Sequence, residues 1–233
     1  MHYLKNTAIT AVMLSIISST GAAYGGDAKA AKAVVYKPPL RGLPAGRVGG
    51  GTRGATEREA FALLVLAPDH VGLTTREQPT LYWYISKPTS YQVELTIVEK
   101  HEVRPLVEKV LNGTERGGIQ VIRLSEFGVR LKPDLPYRWS VALVTDAAHR
   151  SKDILAGGII RRVDPPAGLA EKLAGAGGGA AGVYAEEGIW YDALAALSER
   201  IDASPGDAAL RRERALLLKQ VGLTEAAEAE ATP

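Results

Sequence analysis

LKPDLPYRWSVALVT, residues 131–145, is the stretch on which the fold turns. From Tyr137 onward the residue types alternate. Tyr137, Trp139, Val141 and Leu143 fall on one side of an extended chain, with Arg138 and Ser140 on the other. Successive side chains of a strand point to opposite faces, so this period marks a strand with one buried face.

Six further runs carry strand signals: 61–66, 81–85, 93–97, 106–111, 119–124 and 154–163. Turn residues stand in the breaks, among them Lys87-Pro88, Asn112-Gly113, Gly117-Gly118 and Asp146. Short strands at this spacing predict an antiparallel β-sandwich over 59–164, of the immunoglobulin- or fibronectin-like kind. The approach Leu131-x-Pro133-x-x-x-Tyr137 sharpens that reading. It has the form of a tyrosine corner, in which the hydroxyl bonds back to the loop before the sixth strand. Trp139, on the same face, is then a core residue.

Past Val163 the composition changes. Pro165-Pro166 closes the strands, and residues 165–233 read as a helical extension. Residues 169–173 suit one short helix, and the glycine-rich stretch 175–182 reads as a linker. Trp190, Leu194, Leu197 and Ile201 then recur at helical spacing. Ser204-Pro205-Gly206-Asp207 predicts a second helix start, with Ser204 able to cap and Gly222 as the stop. The pair resembles one tetratricopeptide unit. A single unit cannot bury its own apolar face, so it must cap the sandwich or await a partner chain.

Upstream, residues 1–23 have the order of an export signal: Lys5, an apolar run over 7–17, then small residues with Gly21 and Ala23 at the −3 and −1 positions. A membrane-spanning helix needs about 20 apolar residues, more than this run offers. Cleavage after Ala23 would leave a periplasmic or secreted protein with no transmembrane segment. Residues 24–58 hold seven basic residues, opposed only by Asp27 and Glu57, with three prolines and the run 49–51 of glycine. This composition predicts a flexible basic arm. Its arginines Arg41, Arg47 and Arg53 could meet an anionic envelope polymer, or the arm could be a solvated linker.

The chain has no cysteine, which removes disulfides, thiolate metal sites and cysteine nucleophiles. A net charge of +2 argues against nucleic acid as a partner. The remaining motifs are weak. Gly46-x-x-x-x-Gly51-Thr52 lacks the P-loop lysine, and Gly177-x-Gly179-x-x-Gly182 does not follow a strand. His70, His101 and His149 lack metal-ligand spacing, so no metal or cofactor is expected. No G-x-S-x-G elbow occurs. Glu94, Glu126, Asp146 and Asp153 form no evident carboxylate pair. Arg150 and Lys152, in the hairpin 146–153, could grip an anion. Tyr82 and Tyr84 would form a ladder suited to sugar rings or a protein partner if exposed; if the helices cover them, they and Trp190 are core.

Several strings together resemble a bacterial family, the domain of unknown function 928: LPAGRVGGGTRG (43–54), PTLYWY (79–84), VELTI (93–97), RSKDILAGGII (150–160) and YAEEGIWYDAL (184–194). The resemblance implies location in the envelope and supplies no catalytic residue. The expectation is a non-catalytic exported binding or scaffolding protein. A carbohydrate- or wall-polymer-binding module is the alternative, and an envelope hydrolase with dispersed carboxylates a weaker one.

Overall fold

The computed structural model describes residues 34–39, 46–51, 61–111 and 113–231. The leader read at 1–23 with its cleavage point Ala23 lies outside them, as do Arg41 and Arg53. The described strands form two sheets, and helices follow in sequence. One sheet runs β1 (Gly50–Gly51), β2 (Ala62–Val65), β4 (Thr80–Ile85), β7 (Gly118–Arg123). The other runs β3 (Gly72–Thr74), β9 (Ile154–Arg162), β8 (Pro136–Val144), β5 (Gln92–Glu99), β6 (Val107–Leu111). All seven runs read as strands are strands. The additions are β1, made of two glycines, and β3, too short for a period to register.

One expectation needs correction. The sheets are not wholly antiparallel: β3 lies parallel to β9, Gly72 beside Ile160 and Thr74 beside Arg162. Only a hairpin forces antiparallel pairing, and β3 and β9 are far apart in the chain. After β2 the chain crosses to the other sheet near Pro68 and joins β9 at its free edge.

Alternation decides what is buried. Tyr137, Trp139, Val141 and Leu143 of β8 join Val93, Leu95 and Ile97 of β5 in one apolar cluster. Leu63, Val65, Leu81, Trp83 and Ile85 enter the same cluster from the other sheet. Each such aliphatic side chain contributes about 1.5–3 kcal/mol by leaving water. The Tyr137 hydroxyl accepts a hydrogen bond from the Lys132 N–H at 3.2 Å, which ties the loop to the strand as the sequence motif predicts.

Strand β4 is buried on both faces. Five helices follow the strands: α1 (Leu169–Gly175), α2 (Ala180–Glu186), α3 (Trp190–Ala203), α4 (Ala208–Lys219) and α5 (Thr224–Ala231). The outer side chains of β4, Tyr82 and Tyr84, are buried on the helical side, where Ser198 of α3 bonds Tyr82 and Glu225 of α5 lies near Tyr84. The cap therefore covers the sandwich of its own chain. Three consecutive residues anchor it. Trp190 Nε1 donates to the Leu66 carbonyl at 2.8 Å. The Tyr191 hydroxyl accepts from Trp139 Nε1 at 2.9 Å and donates to the Ile159 carbonyl at 3.2 Å. Asp192 accepts from Thr74 Oγ1 at 2.5 Å, Thr75 Oγ1 at 2.5 Å and the Thr75 N–H at 2.9 Å.

Two local readings also shift. Ser204 is not the cap of α4. Asp207 is, its carboxylate accepting from the Ala209 and Leu210 N–H groups, because 204–206 are spent on the turn between α3 and α4. The glycine-rich stretch 175–182 is also largely helical. Its alanines favour helix, and Ala181 and Ala185 let α2 pack closely against α3.

Candidate functional site

Within the stretch read as an arm, residues 34–39 and 46–51 are described, and both are seated on the body. Val48 exchanges two backbone bonds with Gly157, at 2.9 and 2.8 Å, while Gly50 and Gly51 pair with β2. This short segment thus fastens both sheets. Arg47, just before Val48, donates to the carbonyls of Ala67 and Val221 at 3.0 Å and of Gly222 at 3.3 Å. A cation at exposed carbonyls past a helix end is favourable. Burial lowers its pKa, and the charge of Asp69 works the other way.

The candidate site lies nearby, where residues 34–39 cross the cap. Burial alternates: Val34 and Tyr36 are buried, Val35 and Lys37 exposed. This is the pattern of an extended chain laid on a surface. The Gln220 side chain, just past α4, reads its backbone twice. The Tyr36 N–H donates to Gln220 Oε1 at 2.8 Å, and Gln220 Nε2 donates to the Val34 carbonyl at 2.9 Å. The Lys37 N–H donates to the Ala185 carbonyl at the end of α2 at 3.0 Å. The Tyr36 ring meets Trp190 edge-on at 5.0 Å and stacks on His70 at 5.9 Å.

Tyr36 Oη lies 2.9 Å from His70 Nε2, and His70 Nδ1 lies 3.1 Å from Asp69 Oδ1. The line has the order of nucleophile, base and orienting acid. Its electrostatics oppose that role. Burial first, then the Asp69 charge, raises the Tyr36 pKa, whereas activation would lower it. The line is a latch holding Tyr36 down.

The other expected site residues fall elsewhere. Arg150 bonds both oxygens of Glu94, at 2.5 and 3.2 Å, and Asp153 at 2.7 Å. Lys152 is paired with Asp146 at 3.0 Å. These bonds hold the Glu94 and Asp146 carboxylates below their ordinary pKa values. The two cations are engaged by different carboxylates and do not converge. Tyr82, Tyr84 and Trp190 are buried under or within the cap, and Tyr137 and Trp139 in the core. Among the described residues no group of three His, Asp or Glu could hold a metal ion, and no helix is long and apolar enough to cross a membrane.

Clefts remain. One of about 470 Å³ opens by the outermost strands β6 and β7, over Leu111, Ile122 and Phe127, with Glu115, Arg116 and Glu126 of mixed charge around it. Another, about 410 Å³, lies on the outer face of the five-stranded sheet beside Thr96, Arg138, Ser140 and Gly157. Register puts Arg161 diagonal to Arg138 there. Neither guanidinium has a partner among the described residues.

Sequence reasoning missed Val34, Tyr36 and Gln220. The available signal was the apolar triplet Val34-Val35-Tyr36 inside an otherwise polar arm, followed by Pro38-Pro39. No curated protein matches the sequence. The model of the family described as Domain of Unknown Function (DUF928) matches residues 48–231, from the segment that fastens the two sheets to the last helix, and the chain belongs to that family.

Proposed function

We propose that this chain is an exported, non-catalytic binding or scaffolding protein of the bacterial envelope, in which a helical cap on an immunoglobulin-like sandwich holds an extended peptide. The observation that carries the reading is the seating of residues 34–39. Main-chain bonds from Gln220 and Ala185 give sequence-independent hold, and the seats of Val34 and Tyr36 give selectivity. Extended-peptide recognition divides its work in this way. The immunoglobulin-like assignment is supported by the orders β2-β4-β7 and β9-β8-β5-β6 and by the Tyr137 bond. Export is supported by the positive–apolar–small order of residues 1–23. Crosslinking in intact cells at native expression, followed by mass spectrometry, tests the function. A reproducible envelope protein supports it, and no protein partner in any replicate would sink it.

The second reading, binding of an anionic wall polymer, is favoured by Arg138 and Arg161, which have no partner among the described residues and lie by the cleft on the five-stranded sheet. Titration with carboxylate- and phosphate-bearing polymers tests it. Binding that weakens in Arg138→Ala and with added salt supports this face, and salt-independent or absent binding removes it.

A further inference from the structure

We propose that residues 34–39 are a displaceable strap. On this view the groove beneath is the docking site for an extended segment of another protein, one presenting an aliphatic residue and a tyrosine two positions apart. This rests on the peptide-holding reading of the cap and names its ligand and its regulation.

The chemistry of the groove defines the ligand. Only two strap side chains are buried, Val34 and Tyr36. The tyrosine is specified beyond its bulk, since the ring lies between Trp190 and His70 and the hydroxyl reaches His70 Nε2. The backbone bonds read any non-proline residue at the positions of Tyr36 and Lys37. Pro38 and Pro39 have no N–H to offer, so the strap cannot slide and keep its bonds. A ligand therefore needs the same spacing, with prolines tolerated only after the last donor.

The strap can leave without breaking the bonds that fasten the cap. The cap is fixed to the sandwich by the Trp190, Tyr191 and Asp192 bonds and by Arg47, none of which involves residues 34–39. A tethered competitor acts at an effective concentration on the order of millimolar. A free segment making only the same contacts is then held off, and a partner must add contacts of its own. The strap sets the threshold for docking.

The test uses a labelled synthetic peptide of residues 32–39 and the full chain, wild type and Tyr36→Ala, read by fluorescence anisotropy. The Tyr36→Ala chain is expected to bind the peptide at least about ten-fold more tightly than wild type, because its own strap competes less. Adding Gln220→Ala should remove that gain. Equal binding by both chains, or none by a Tyr36→Ala chain with an unchanged thermal melt, overturns the proposal. Hydrogen exchange on the wild type needs no variant. Tyr36 and Lys37 amides exchanging at least about ten-fold faster than those of α3 support a strap that opens locally. Exchange of those amides only with global unfolding overturns it. A dimer seen by light scattering and lost in Tyr36→Ala would reassign the groove to a second copy. Capture of an envelope protein that is indifferent to both substitutions overturns the strap while leaving the binding function standing. Peptide binding without any captured protein does the reverse.

Discussion

Asp192 has no solvent exposure, yet its carboxylate is met by three donors from Thr74 and Thr75. A buried charge is tolerable when its lone pairs are filled, and removing one side of such a set strands the other. Asp192→Ala is expected to cost about 1–3 kcal/mol in chemical denaturation, from the Thr74 and Thr75 donors it strands. An unchanged denaturant midpoint would mean that water or rotated hydroxyls repair the site. The Arg150 hairpin works by another balance. Its bond to Glu94, more than any other cause, lowers that carboxylate below its ordinary pKa of 4.5. A depressed folded pKa contributes stability above the unfolded pKa and loses it as pH falls through the folded one. Asp146, lowered by Lys152 and then His149, has the same sign. Thermal melts between pH 7 and pH 3 should therefore fall less steeply for Glu94→Gln than for wild type. Parallel slopes would show that this exposed pair contributes nothing, as many do.

At the scale of elements, legibility in the sequence followed periodicity. Strand β8 was readable because Tyr137, Trp139, Val141 and Leu143 alternate against polar neighbours. Strand β3 was not, since all three of its residues are buried and a three-residue run has no period. Helix α5 hid because Ala226 and Ala227 bury a face without large apolar side chains. The groove was unreadable for a different reason. Tyr36, His70, Ala185, Trp190 and Gln220 are scattered along the chain, and only the packing of cap on sandwich collects them. Glycines that allow close packing are equally silent. A Cβ on Gly158 would stand 2.6 Å from Ala67 Cβ, where β9 passes the end of β2. Gly158→Ala must push the sheets apart there, at an expected cost of about 1–3 kcal/mol. An unchanged denaturant midpoint would mean that the contact relaxes freely.

For the whole molecule, the question is whether sandwich and cap are one folding unit or two. The first sheet cannot present its outer face to water as other antiparallel sheets do, because Tyr82 and Tyr84 stand there beneath the helices. The cap in turn sends Trp190 and Tyr191 to bonds inside the sandwich. Arg47 adds a tie between the sheet-lacing segment and the end of α4. Losing one buried aromatic costs about 3–5 kcal/mol, a large share of the 5–15 kcal/mol that holds a typical domain. Neither part should survive the loss of the other. The full chain is expected to melt in one transition by calorimetry, with matching calorimetric and van't Hoff enthalpies. A chain ending at residue 164 should show no cooperative melt and should associate through its bared tyrosines. Two separated transitions in the full chain, or a cooperative melt of the shortened one, would make the cap an independent domain. The groove would then have to form on helices that can detach from the His70 loop, and the latch on Tyr36 could not be built.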